Sequence, residues 1–167
     1  MEVKMANLAD ANGRAYVDYE IYELNPKLFD TFWRQLKASS LDEYGIFITT
    51  FNKNEIEFQG TGRWTMGNTI EGILDPEEVS TLSQVATLVR ENQGLLHFEY
   101  DEYEPGSEIL RAVELAFSFD QAGKPIVVEE TMDDYPYSKE IIESLGFMPL
   151  DELIFNDRSQ INAKLIN

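Results

Sequence analysis

The sequence holds a single imidazole, His97, and no cysteine. Thiolate nucleophiles, disulfides, Fe–S clusters and cysteine-type zinc sites are therefore excluded. A hydrolase triad or a polyhistidine metal centre has only His97 to build on. His97 alternates with Glu99 and Asp101 along HFEYD, so on a strand its ring sits beside carboxylates that favour its charged form. No nucleophile accompanies it, and it reads as a structural or surface histidine rather than a general base. The remaining side chains able to do chemistry are carboxylates: Asp101, Glu102 and Glu104, with the pairs Glu129-Glu130 and Asp133-Asp134. Such oxygens suit Mg²⁺ or Ca²⁺, but their spacing matches no EF-hand loop. Gly60, Gly62 and Gly67 have neither the Gly-Lys-Ser/Thr ending of a phosphate loop nor the dinucleotide fingerprint, and read as a loop or bulge. No catalytic residue and no cofactor is expected.

Charge is the outlying property. With 31 acids against 13 bases, the formal net charge over 167 residues is −18, where a magnitude of about 2 to 8 keeps a small domain in solution. Residues 84–167 carry 17 of the acids and 6 of the bases. Direct binding to nucleic acid needs Lys and Arg to displace counterions, and anionic membranes repel such a surface. The excess favours a basic protein as partner. No run approaches the length of a membrane span and the first residues lack a signal-peptide pattern, so the cytoplasm is the expected compartment.

The elements that must position these groups follow from hydrophobic periodicity. No repeat or linker divides the chain, so one domain is expected over residues 1–167. Asn12-Gly13 is a turn signal, and residues 15–24 alternate as a first strand. Asn25-Pro26 caps a helix to about Ala38 with Leu28, Phe29, Phe32, Trp33 and Leu36 on one face. Residues 44–51 and 55–64 form a hairpin. Asp75-Pro76-Glu77-Glu78 opens a second helix, with Val79, Leu82, Val85, Ala86 and Val89 buried. Strands at 95–103, 109–119 and 125–131 follow, then a polar loop and a short helix capped by Ser138. The last twenty residues are expected to add a short strand around 153–155 and a terminal helix from Asp157. This order gives an α+β fold: an antiparallel sheet with helices packed on one face, ferredoxin-like βαββαβ, with an appended β-hairpin and C-terminal helices.

The Gly-Arg-Trp at 62–64, after a hairpin strand and before the second helix, resembles the Arg-Trp segment of a ferredoxin-like family of unknown function found on phages and plasmids. The acidic YDEYEPGSE at 100–108 is similar to that family's Glu-rich turn with its Pro-Gly. The likeness covers residues 15–131, and this chain departs from it by an extra segment before the first strand. It implies the fold and a mobile-element setting and brings no catalytic residues.

The strongest feature is an acidic strip. Glu99, Asp101, Glu102, Glu104 and Glu108, with Glu129, Glu130, Asp133 and Asp134, are expected on the solvent side of the last three strands. Same-face strand residues lie about 6.7 Å apart, inside a Debye length of about 8 Å, so their potentials add. Tyr100, Tyr103, Tyr135 and Tyr137 interleave them as amphipathic contact area. Neutralising Glu99, Asp101, Glu102 and Glu104 is expected to leave the fold intact or firmer, because these side chains are read as solvated and mutually repelling. Either Trp64 packs in the core with Arg63 paired to an acid, or Arg63 and Trp64 are exposed recognition residues. The leading expectation is a non-enzymatic inhibitor or adaptor of a mobile element, occupying a basic nucleic-acid-binding surface of a host restriction or CRISPR component as a nucleic-acid mimic. An immunity protein for a basic nuclease toxin uses the same electrostatics. A carboxylate-based divalent-metal protein or enzyme is the reading from another class.

Overall fold

A computed structural model describes residues 8–38, 44–63 and 65–149. Its centre is a six-stranded antiparallel sheet. In chain order the elements are β1 (Leu8–Tyr16), α1 (Tyr19–Leu24), α2 (Pro26–Ala38), β2 (Gly45–Asn52), β3 (Glu55–Arg63), α3 (Met66–Ile73), α4 (Leu82–Glu91), β4 (Leu96–Glu104), β5 (Ile109–Phe119), β6 (Pro125–Asp134) and α5 (Lys139–Ser144). The strand order β2-β3-β1-β4-β5-β6 contains the ferredoxin-like arrangement β2-β3-β1-β4, widened on one side by the β5–β6 hairpin. No described helix is long and apolar enough to cross a membrane. The expected elements at 153–155 and from Asp157, and the side chain of Trp64, lie outside the described residues.

The first strand is not where alternation places it. Residues 8–16 form β1 at the heart of the sheet, between β3 and β4, so Asn12-Gly13 is mid-strand and the supposed extra segment is the strand itself. Its helix-facing side is built from small residues, Ala9, Ala11, Gly13 and Ala15, all but Gly13 essentially buried. Gly13 is required by close approach: a Cβ there would meet the Glu99 carbonyl and lie 2.6 Å from the Tyr100 Cα. Its absence lets Phe58 of β3 and Tyr100 of β4 meet across β1, with ring centroids 6.3 Å apart. Residues 19–24, expected to continue the strand, instead form α1. Ile21 and Tyr22 take its buried side, and six residues are too few for period to separate helix from strand.

Helix α2 starts where expected, with the Asn25 carboxamide oxygen accepting from the Leu28 N–H at 3.2 Å. Helix α3 falls on the glycine-rich stretch expected to be a loop. Thr65 caps it by accepting from the Asn68 N–H, and Met66, Ile70 and Ile73 supply a stripe at i, i+4 and i+7. Gly60 and Gly62 of β3 make room for it, since a Cβ on either would lie 2.6–2.7 Å from Met66. The Asp75-Pro76 signal yields only one turn, in which Asp75 accepts from the Val79 N–H. The helix proper, α4, begins at Leu82.

Helices α1 to α4 bury one face of the sheet over a core containing Phe29, Phe32, Trp33, Phe98 and Phe117. Helix α5 does not join them. Ile142 and Phe147 pack on Tyr103 and Leu110, and the Asn12 Nδ2 donates to the Leu145 carbonyl at 2.9 Å. Those partners lie on the opposite face, so α5 covers one end of it, and no other described helix packs there. The expectation of helices on one face holds for the first four and is corrected for this one. The polar stretch at 132–134 is not a loop; it completes β6.

Candidate functional site: the second sheet face and the acidic edge strand

The expected strip divides by strand parity. On β4, residues 96, 98 and 100 face the helices, so Glu102 and Glu104 do too. They are 1% and 4% exposed, and they do not belong to a solvent strip. Glu102 Oε2 accepts from Arg111 Nε at 2.8 Å across the β4–β5 ladder, and its Oε1 accepts from the Met66 N–H at 2.7 Å. The acid thereby satisfies an orphan donor at the start of α3. Glu104 accepts from the Ser107 hydroxyl at 3.1 Å. Two of the four tyrosines are corrected likewise, whereas Tyr137 is exposed and Tyr135 half-buried. Tyr100 is buried under the helices and Tyr103 under α5, and burial, with the Glu102 charge beside it, pushes the Tyr100 hydroxyl far above its ordinary range.

Residues of the second face meet around Arg14, which sequence reasoning passed over. Its Nε and Nη2 donate to Glu99 Oε2 at 2.9 and 2.7 Å, and its Nη1 donates to Glu55 Oε1 at 3.3 Å. The Tyr16 hydroxyl donates to Glu99 Oε1 at 2.7 Å. Partial burial pushes the Glu99 carboxyl up, but the bonds from Tyr16 and Arg14 and the cationic charge outweigh it, and the group ends below its ordinary value. Burial and the hydrogen bond to Glu99 push the Tyr16 hydroxyl up to about 12. His97 stacks on Tyr16 with centroids 4.6 Å apart and planes 9° from parallel. It sits beside Glu99 as expected but contacts no nucleophile among the described residues.

One position along, Asp101 accepts from the Tyr135 hydroxyl at 2.6 Å. That bond first, and burial second, raise the Tyr135 hydroxyl to about 12. Of these groups Arg14, Glu99 and Asp101 line a shallow concavity of about 530 Å³, together with Gln59, Ala112 and Glu114. Glu99 and Asp101 are thus structural as well as acidic. Among the described residues no three acid or imidazole side chains come together as a metal site.

What remains of the strip lies further out. Glu129, Glu130, Asp133 and Asp134 are all exposed on β6, at the sheet edge. None of the four pairs with a cation among the described residues. Glu114 on β5 is exposed beside them and accepts from the Thr131 hydroxyl at 3.3 Å. Glu108 is exposed in the β4–β5 connection with a positive φ of 54°. Arg63 ends β3, four strands from β6, or roughly 19 Å at a strand spacing of about 4.8 Å. It is not part of the same surface.

No family model, curated protein or solved structure matches the chain.

Proposed function

We propose that this chain is a non-enzymatic acidic binding protein that occupies a basic, nucleic-acid-binding surface of another protein. A host defence component such as a restriction enzyme or CRISPR effector fits the mobile-element setting that the sequence resemblance implies. The observation that carries the reading is the set of four exposed carboxylates on β6 that form no ion pair among the described residues, in a chain of net charge −18. The cations nearest the expected strip are already engaged, Arg14 with Glu99 and Glu55, and Arg111 with Glu102. The outer field therefore remains negative. Complementary charge of this kind steers association and rejects acidic partners.

The test is calorimetric binding to a panel of restriction endonucleases, CRISPR effectors and secreted nucleases, at low and physiological salt, with and without duplex DNA. Binding that weakens steeply with salt and is displaced by DNA supports the reading. Binding indifferent to both overturns it.

A further inference from the structure

We infer that the outer edge of β6 receives an extended basic segment of the partner as a seventh strand of the sheet. The backbone carries the argument. The Tyr135 N–H donates to the Leu110 carbonyl at 2.9 Å, which makes Leu110 and Tyr135 a hydrogen-bonded pair. In an antiparallel ladder such pairs alternate with non-hydrogen-bonded ones. The register pairs Arg111 with Asp134, Val113 with Met132 and Leu115 with Glu130. Asp134, Met132 and Glu130 therefore turn their N–H and C=O groups away from β5. Among the described residues no strand takes them up. An exposed edge of this length is a template for pairing with another chain.

Side chains select the occupant. Along Glu129-Glu130-Thr131-Met132-Asp133-Asp134, two acids, two neutral residues and two acids alternate in blocks. An added strand with bases opposite each acidic pair and neutral residues between them matches charge on both sheet faces at once. Beside Glu130 and Met132 a cleft of about 240 Å³ opens between β6 and α3, lined by Glu71, Glu102 and Glu130, by the apolar Leu115 and Val127, and by Arg111, whose charge is already taken by Glu102. It gives the base opposite Glu130 an acidic niche with an apolar wall for its stem. A second copy of this chain does not fit. Pairing about Met132 sets Glu130 against Asp134, and pairing about Thr131 sets Glu129 against Asp133, acid on acid in both registers.

The inference rests on the reading of this chain as a binder of basic protein, and its test is separate from competition by DNA, so either can fail alone. The probe is a fluorescent peptide, Thr-Lys-Lys-Val-Thr-Lys-Lys-Thr, titrated with the full chain and followed by anisotropy. A peptide of equal charge with lysines at every second position should bind about tenfold more weakly. Methylating alternate backbone nitrogens of the first peptide should abolish its binding, and binding should slow amide exchange at Glu130, Met132 and Asp134. Met132→Pro removes an outward N–H at an edge position that tolerates proline, and should lose the peptide while keeping its Tm. Equal binding of the methylated peptide overturns the inference, since charge alone then suffices. So does a dimer by sedimentation that Met132→Pro dissociates, since the edge then belongs to a second copy. If Met132→Pro does not fold, the methylated peptide still decides.

Discussion

Glu102 and Arg111 stand directly opposite one another on β4 and β5 and join at 2.8 Å beneath α3, where the acid is 1% exposed and the arginine side chain 15%. A charge in that position is tolerable only because its partner and the Met66 N–H satisfy both carboxylate oxygens. The pair fixes the register of the β4–β5 hairpin and the start of α3 together.

Removing one member therefore costs more than removing both. Arg111→Met should destabilise by about 3–5 kcal/mol, because it leaves an uncompensated buried carboxylate. In the double variant Glu102→Leu/Arg111→Met, most of that loss should be recovered, leaving mainly the unpaired Met66 N–H. Urea unfolding of both singles and the double checks this, and a double variant as unstable as the sum of the singles would show the pair is not acting as a unit.

Gly13 supplies the second prediction. Gly13→Ala places a Cβ against the Glu99 carbonyl and the Tyr100 backbone, and the β1–β4 ladder must spread to hold it. A loss of about 1–3 kcal/mol is expected. The near-ultraviolet dichroism of Tyr100 should change with it, because the Phe58–Tyr100 contact spans this position. Gly72→Ala, where nothing lies within 4 Å of the added carbon, should instead stabilise by roughly 1 kcal/mol as an exposed helix glycine replaced.

These two positions also show how far the sequence could be read. Strands β2 to β6, helix α2 and the Ser138 cap were legible, because β-branched and aromatic runs, Asn-Pro and Ser signals act locally. Strand β1 was not: LADANGRAY has almost no large apolar residue, since its role is to let the flanking aromatics close over it, and Asn12-Gly13 reads as a turn to any local rule. Helix α3 hid behind glycines that serve its close packing on β3. The buried pair had a usable signal. Phe98 and Tyr100 set the parity that carries Glu102 inward, and Arg111 is the one interruption on the core side of β5. Two opposite charges on the wrong faces of one hairpin, brought opposite by its turn, announce a buried salt bridge. The exposed acids of β6 were legible by type, but that they form the sheet's outer edge follows only from the strand order.

The Arg14–Glu99–Tyr16 cluster predicts the shape of the pH–stability curve. The Glu99 carboxyl is lowered on folding, so its contribution is present above the ordinary glutamate range and is lost as pH falls through its folded value. The Tyr16 hydroxyl rises from 10.0 to about 12, so its contribution is complete below pH 10 and disappears as pH rises through about 12. Glu99→Gln should flatten the acid limb of urea midpoint against pH, and Tyr16→Phe the alkaline limb. Either variant leaving its limb unchanged would mean that the hydrogen bonds of this cluster do not persist in solution.

The carboxylates of β4 and those of β6 should respond to neutralisation with opposite signs. Changing Glu99, Asp101, Glu102 and Glu104 to Gln or Asn, expected from the sequence to be harmless, removes the charges paired with Arg14 and Arg111. At Glu99 and Glu102, where both oxygens accept, it also turns an amide donor on one of the donors from Arg14, Tyr16, Arg111 or Met66. It should lower Tm substantially, with the buried Glu102 responsible for most of the loss. Changing Glu129, Glu130, Asp133 and Asp134 breaks no hydrogen bond or ion pair among the described residues and relieves repulsion among neighbours on an exposed strand. Its Tm should stay level or rise, by an amount that shrinks as salt screens the same repulsion. Binding to a basic partner should fall in the β6 variant by between about fourfold and several hundredfold, at about 0.2–1 kcal/mol for each of the four cross-strand charge pairs lost. Differential scanning calorimetry at two salt concentrations, paired with the binding measurement, separates the two roles. A β6 variant that melts early would reveal these acids as structural, and one that binds undiminished would move the functional surface away from the edge.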